Sequence, residues 1–130
     1  MAAASKIKYP KEDKEQIDFV DYCDRVNIPA ISTQNGIYLG KGDKENANSR
    51  FAHIAKIKKM GLRKGFPDLI ILARNSRHEV LFLEMKRQSG GVLSEDQKYW
   101  VELLHSLGLC VGVAKGCESA IRILNKYLAM

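Results

Sequence analysis

The chain has 130 residues, 45% hydrophobic and 28% charged, which suits a single domain over residues 1–130 with its core at about 12–128. No apolar run approaches the roughly 18 residues of a membrane span, so a transmembrane protein is excluded. The net charge of +6 resides in residues 41–64, which hold eight basic and two acidic side chains. Such a segment attracts polyanions, so it indicates either a nucleic-acid contact or simply a solvated helix face.

The first third of the chain predicts a helix and then a short strand. Apolar side chains follow the i, i+3, i+4, i+7 spacing of an amphipathic helix over residues 12–26. A strand is expected at residues 30–33, followed by a polar loop with Asn-Gly at residues 35–36.

The basic segment predicts a second helix over about residues 50–60. Asn48 or Ser49 is expected to cap its start, and Gly61 is expected to end it. The residues expected to face inward are Phe51, Ile54 and Ile57. The lysines would then remain in solvent, and the positive charge would lie mostly on this helix and its flanks.

The second half predicts two buried strands at residues 68–73 and 79–86, both apolar on each face as in the middle of a covered sheet. Residues 94–97 have the form of a capping box that opens the next helix. The remaining expected elements are a strand at residues 109–114 and a helix at residues 118–128. The resulting α-β-α-β-β-α-β-α order predicts an α/β fold with a mixed sheet flanked by helices.

The three cysteines predict packing rather than chemistry. Cys23, Cys110 and Cys117 lie among apolar residues, are odd in number and lack the spacing of a metal site. The N-terminal residues also lack the long apolar stretch of a secretory signal. We therefore expect buried free thiols in a reducing intracellular setting.

The two central strands carry charges at their ends. A hairpin symmetric about Ser76 would pair residue 70 with 82 and residue 68 with 84, so that Asp68 opposes Glu84. Opposed like charges are destabilising unless a cation lies between them. Side chains alternate along a strand, so Lys86 points the same way as Glu84. The hairpin thus predicts a carboxylate pair with an ammonium beside it.

Two interpretations of this charge cluster compete. Magnesium prefers hard oxygen ligands and usually takes one or two carboxylates, which Asp68 and Glu84 supply. Lys86 would then orient or deprotonate a water, or stabilise the transition state. Alternatively, Glu84 and Lys86 form a simple ion pair and Asp68 caps its strand. The Gly65-x-Pro67 sequence just before Asp68 favours the metal site.

These residues resemble a known signature. Gly65-Phe66-Pro67-Asp68-Leu69 followed by Leu83-Glu84-Met85-Lys86 is similar to the PD-(D/E)XK nuclease motif. The surroundings resemble the VRR-NUC (virus-type replication-repair nuclease) domain in its compact stand-alone form from phages and bacteria. The shared features are a leading helix with Glu12 and Gln16, the Asn-Gly loop before the basic segment, and Ser-x-x-Gln at residues 94–97. The resemblance spans about residues 12–128.

The resemblance implies a restriction-endonuclease-like fold and a set of site residues. Asp68, Glu84 and a helix carboxylate would hold Mg²⁺, or Mn²⁺ in its place. Helical geometry allows either Glu12 or Glu15 as that carboxylate, and the family spacing favours Glu12. The further candidates are Lys86 and Gln97 as catalytic residues and the backbone of Met85 as a metal ligand. Gln97 is equally explained as a capping-box residue.

The resemblance also implies a function. We expect a Mg²⁺-dependent, structure-selective endonuclease that hydrolyses phosphodiester bonds in branched DNA such as four-way (Holliday) junctions. It would act as a homodimer in the cytoplasm of a bacterium or of a phage-infected cell. The residues expected to grip phosphates are Lys56, Lys58, Lys59, Arg63 and Lys64. The alternatives are a non-catalytic nucleic-acid-binding module, a sequence-specific restriction-type nuclease and a flap nuclease.

Overall fold

The computed structural model describes residues 11–33 and 47–130, with the side chains of residues 47 and 48 left aside. The predicted Asn-Gly loop lies outside these residues. The described part contains four helices and four strands: α1 (Glu12–Arg25), β1 (Ala30–Ser32), α2 (Ala47–Lys59), β2 (Leu69–Ile71), β3 (Leu81–Lys86), α3 (Glu95–Ser106), β4 (Cys110–Lys115) and α4 (Cys117–Leu128). The predicted order of elements is therefore confirmed.

The strands form one mixed sheet in the order β1-β2-β3-β4. The first three strands run antiparallel to their neighbours, whereas β3 and β4 are parallel and joined through α3. Ile70 lies opposite Phe82, as a hairpin symmetric about Ser76 requires. The predicted register is confirmed, and it puts Asp68 and Glu84 at the same end of the sheet.

The paired part of the hairpin is shorter than predicted, because residues 72–80 lie outside the ladder. The Asn75 side chain explains the difference. Its Oδ1 accepts hydrogen bonds from the backbone N–H groups of Arg77 and His78, and its Nδ2 donates to the carbonyl of Tyr127. An Asx-type turn of this kind offers the backbone an alternative to ladder pairing.

Alternation along β3 separates the core from the charged side of the sheet. Leu81, Leu83 and Met85 are buried in the core with Phe19 of α1 and Leu124 of α4. The intervening residues of β3 point to the opposite face, where Gln97 of α3 contacts Glu84 and Lys86. The central strands are thus apolar on one face and carry charged groups only at one end of the other.

Two predictions about helix packing are wrong. Helix α2 begins at Ala47, so Asn48 and Ser49 lie in its first turn and not at its cap. Phe51 is 69% exposed instead of facing inward, because none of the other described helices or strands packs closely against α2. The predicted C-terminal stop is present, since Gly61 adopts φ of +109°.

The cysteines are free thiols, as expected, with Cys23 buried and Cys110 and Cys117 partly buried. Among the described residues, no helix is both long and apolar enough to cross a membrane.

Candidate metal centre

Three carboxylates from three separate elements converge at one end of the sheet. Glu12 begins α1, Asp68 precedes β2 and Glu84 lies in β3. Each offers one oxygen, and these oxygens all lie within 4.8 Å of one another. Glu84 is only 1% exposed. Three negative groups this close need either protons or a cation between them.

Backbone contacts fix the position of Asp68. The hydroxyl of Thr33, just after β1, donates to the carbonyl of Pro67 at 2.7 Å, and the Thr33 N–H donates to the carbonyl of Asp68 at 2.9 Å. The Asp68 carboxylate in turn accepts a hydrogen bond from the N–H of Met85 at 2.7 Å. Asp68 is therefore tied to both neighbouring strands.

Gly65 brings the preceding loop against α3. Its φ is +86°, and a Cβ atom at this position would lie 2.6 Å from the carbonyl carbon of Asp96 and 2.8 Å from the amide nitrogen of Gln97. Any larger residue would push the loop away from the start of α3. Only glycine therefore fits at position 65, and its close contact with α3 determines how the chain approaches Asp68.

Gln97 connects Lys86 and Glu84 through its side-chain amide. Its Oε1 accepts from the Nζ of Lys86 at 2.8 Å, and its Nε2 donates to the Oε1 of Glu84 at 2.8 Å. The same Oε1 accepts from the N–H of Ser94, and Ser94 completes a capping box. One amide thus both caps α3 and contacts the charged cluster, and a catalytic role of Gln97 stays a prediction.

Lys86 is nearly buried beside this cluster. It is 7% exposed, and its Nζ lies 3.7 Å from the Oε1 of Glu84. A buried ammonium with a carboxylate neighbour and an amide acceptor has few other conformations available. Lys86 thus keeps its charge pointed at the end of the sheet where Asp68 and Glu84 meet.

The structure separates the two candidate glutamates of α1. Glu12 joins Asp68 and Glu84, whereas Glu15 is buried elsewhere, accepting hydrogen bonds from Gln88 Nε2 at 2.8 Å and from the N–H of Cys117. That N–H is at the start of α4, so Glu15 supplies the capping acceptor for a distant helix. Helical geometry alone did not predict which of the two lies near Asp68, and packing places Glu12 there.

Burial and mutual repulsion shift the titration of the carboxyl groups. Burial, and next the charge of Asp68, raises the pKa of Glu84 to about 8. Burial also raises the pKa of Asp68, although the hydrogen bond from Met85 opposes this. Burial likewise raises the pKa of Glu12, with Lys86 acting in the opposite direction. The protein alone therefore does not fully compensate the charges gathered here.

The donor set fits a hard divalent cation. All three candidate ligands are carboxylate oxygens, which Mg²⁺ and Mn²⁺ prefer. The buried Oε2 of Glu84 has no hydrogen-bond donor among the described residues. An open cleft lined by Glu12, Gln16, Ser32 and Asp68 leads to the carboxylates from solvent. An unsatisfied buried oxygen in an acidic cluster that solvent can reach is what a cation would compensate.

The basic side chains predicted to grip phosphates fall into two groups. Lys56, Lys58 and Lys59 are exposed in the last turn of α2. Arg63 and Lys64 are exposed in the loop that leads through Gly65 to Asp68. Arg63 donates from Nη1 to the carbonyl of Lys58 at 3.3 Å, which links the two groups. The basic residues of α2 are thus followed directly in the chain by the loop that leads to Asp68.

Sequence reasoning missed the structural network around Glu15. Gln88 follows Glu84 and Lys86 at the same two-residue spacing, a signal by which it could have been noticed. Gly116 belongs to no motif in the sequence, yet a Cβ there would meet the side chain of Gln88 at 2.7 Å and the Glu15 carboxylate at 2.9 Å. Met85, named as a backbone ligand candidate, donates its N–H to Asp68, and its role as a ligand stays a prediction.

The fold is a four-stranded mixed sheet flanked by helices, and Asp68 and Glu84-x-Lys86 lie at one end of that sheet. The sequence profile of the VRR-NUC domain matches residues 22–118. A solved structure titled "VRR_NUC domain protein" is similar at 25% identity and a TM-score of 0.69, covering 94% of this chain and 91% of the other. A search of curated proteins finds no match. The chain belongs to the VRR-NUC domain family, and its function is nuclease-type DNA processing.

Proposed function

We propose that this protein is a Mg²⁺- or Mn²⁺-dependent endonuclease that cleaves branched DNA, such as four-way junctions, in a structure-selective way. The observation that carries the proposal is the meeting of Glu12, Asp68 and Glu84 within 4.8 Å, with buried Lys86 beside them. Carboxylates next to a phosphate would only weaken binding by a non-catalytic module, whereas a metal-dependent hydrolase needs them.

In this proposal Glu12, Asp68 and Glu84 would hold the cation. When bound, it offsets negative charge that develops on the phosphorus centre and makes water a better nucleophile at neutral pH. Lys86 orients the attacking water or the scissile phosphate, and Gln97 fixes both Lys86 and Glu84 through its amide. The basic groups of α2 and its flank, Lys56, Lys58, Lys59, Arg63 and Lys64, contact phosphates on either side of the cleaved bond.

Shape is the proposed basis of substrate choice. Exposed lysines and arginines contact phosphates and carry no sequence information by themselves. Symmetric cleavage of a four-way junction needs two equivalent active sites, and this chain provides one set of residues. We therefore propose that two copies act together as a homodimer on the junction.

Cleavage assays on matched substrates test the proposal. Labelled linear duplex, single strand, flap and four-way junction are incubated with Mg²⁺ or Mn²⁺ and with EDTA. The expected result is metal-dependent cleavage of the junction in preference to the linear substrates. Lys86→Ala is expected to abolish cleavage, whereas Lys115→Ala, the exposed lysine opposite Lys86 on β4, is the control that retains it.

Specific outcomes would count against the structure selectivity, the active site or the metal requirement of the proposal. Equal degradation of every substrate would refute structure selectivity, and cleavage unaffected by Lys86→Ala would refute the site. Undiminished cleavage in EDTA would refute the metal requirement. Junction binding without any cleavage under all conditions would favour the non-catalytic binding module.

A further inference from the structure

A second concave surface lies beside the carboxylates. It is lined by apolar and aromatic side chains with one arginine at the edge, and we call it the aromatic groove: Thr33, Leu62, Arg63, Phe66, Ile70 and Trp100. Thr33 follows β1, and the other residues come from the loop before β2, from β2 itself and from α3. The proposed cleavage mechanism uses only Arg63 of these residues, so it gives the apolar and aromatic side chains of the groove no task.

The aromatic groove and the carboxylate site share their supporting elements. Ile70 follows Asp68 by two residues on the same face of β2, a separation of roughly 7 Å along a strand. Trp100 follows Gln97 by three residues on α3, so both lie on the same side of that helix. The aromatic groove and the carboxylates are therefore neighbours on one face of the sheet.

The rings in this groove are held in fixed orientations. The indole Nε1 of Trp100 donates to the carbonyl of Lys64 at 3.0 Å. The ring of Phe66 meets that of Trp100 edge to face at a centroid distance of 5.3 Å and that of Phe82 at 5.7 Å. A half-buried indole with a fixed plane is a preorganised surface for a flat ligand, because little freedom is lost when the ligand stacks.

The charge at the rim favours a polyanion as the occupant. Arg63 lines the aromatic groove, and the exposed lysines at the end of α2 precede it in the chain. Lys64, the next residue, is exposed and lies 3.6 Å from the carboxylate of Asp96. A second copy of the chain bound through a twofold axis would oppose this basic rim to itself, which is unfavourable. Aromatic surfaces inside a positive rim are the arrangement that binds unpaired nucleotides, whose bases stack while the phosphates meet cations.

We propose that the aromatic groove binds the base of an unpaired nucleotide next to the phosphate that is cleaved. The inference rests on the proposed nuclease function and narrows its substrate class to nucleic acid with an unpaired or unstacked nucleotide beside the cleavage position. Stacking on Trp100 supplies the contact, and Arg63 meets the adjoining phosphate. Any base suffices, since every base has a flat aromatic face.

Intrinsic fluorescence tests this assignment, because Trp100 is the only tryptophan of the chain. The full chain is titrated in EDTA, where cleavage is not required, with a short single-stranded oligonucleotide and with the same oligonucleotide carrying abasic positions. The expected result is saturable quenching by the intact strand and about tenfold weaker binding of the abasic strand. Equal affinity for the two strands, or an emission unchanged by the intact strand, would overturn the proposal.

Variants and dilution complete the test. By anisotropy of a labelled strand, Trp100→Ala should lose the preference for intact over abasic DNA. Trp100→Phe should keep part of it, and Leu107→Ala at the exposed far end of α3 should keep all of it. The intact-versus-abasic comparison needs no variant, so it stands even if Trp100→Ala does not fold. Weaker binding of the intact strand at protein concentrations that change the emission without DNA would show a second copy in the groove and overturn the proposal.

This experiment separates the two proposals. Base-dependent quenching without cleavage in Mg²⁺ supports the aromatic groove and contradicts the nuclease mechanism. Metal-dependent cleavage without base-dependent binding supports the nuclease mechanism and contradicts the proposed role of the aromatic groove.

Discussion

The carboxylate site and the basic helix α2 carry opposite charges and are built in opposite ways. Glu84 and Lys86 are 1% and 7% exposed and are held by the amide of Gln97. The lysines of α2 are exposed, and the helix lacks close packing against the other described elements. Buried charges cost free energy unless they are fully paired, whereas solvated ones cost little. The difference indicates that the carboxylate site depends on the exact positions of its side chains. The lysines of α2 contribute through their net charge.

The largest expected effect comes from Glu84→Gln. The change keeps the shape of the side chain but removes one ligand charge, so Mn²⁺ affinity and cleavage should both fall, cleavage by at least about a thousandfold. Calorimetric Mn²⁺ titration and single-turnover cleavage measure the two losses. Glu118→Gln, an exposed acid in the first turn of α4, is the control and should change neither. Unaltered Mn²⁺ binding by Glu84→Gln would remove Glu84 from the ligand set.

Gly65→Ala should be the most damaging change outside the charged groups. The new Cβ would meet the backbone of Asp96 and Gln97 at 2.6 to 2.8 Å, at a φ of +86°. We expect a loss of about 3 kcal/mol in the free energy of unfolding. Gly61→Ala shares a positive φ of +109° but has nothing within 4 Å of the new atom, so about 1 kcal/mol is expected. Equal losses in urea denaturation would mean that contact with α3 is unimportant.

Stability without metal should fall as the pH rises. The folded protein keeps the Glu84 proton up to about pH 8, whereas the unfolded chain releases it near 4.5. Between these values the folded state binds more protons, so the stabilisation present below pH 4.5 is lost by about pH 8. A decrease of at least about 5 °C in Tm is expected across this window, because each pKa unit of difference corresponds to about 1.4 kcal/mol. Mn²⁺ should reverse it increasingly at high pH, because its ligands must be deprotonated.

The Glu84→Gln variant tests whether the Glu84 carboxyl group causes this pH dependence of Tm. The variant has no carboxyl group to titrate at this position, so its metal-free Tm should vary less between pH 5 and 8. A variant that loses stability over this window as steeply as the parent chain would assign the effect to other groups.

The smallest effect is expected from a substitution in the basic helix α2. Lys58→Ala removes one exposed positive charge, so DNA affinity should fall a few-fold and equally for all sequences. The slope of log K against log salt should decrease by about one. Lys126→Ala in the last turn of α4 is the matched control and should leave the slope unchanged. A loss at Lys58 that depends on sequence would show that α2 reads bases and not only phosphates.

Local patterns sufficed for much of this fold. Helical spacing located α1 and α4, the Ser94 to Gln97 capping box located the start of α3, and turn symmetry about Ser76 gave the register of β2 and β3. Each of these signals acts between residues that are near in sequence or opposed across one turn. The start of α2 and the exposure of Phe51 were mispredicted, because both depend on what packs against that helix.

The sequence by itself therefore determined the order of elements, the pairing that brings Asp68 to the same end as Glu84, and the side on which Lys86 lies. It could not choose between Glu12 and Glu15, since one helical turn presents both to the same side. Only the tertiary structure decided that Glu12 meets the carboxylates while Glu15 accepts from the start of α4. The physical reason is that these contacts join residues up to 102 positions apart, and no local periodicity reports on the packing of such distant elements.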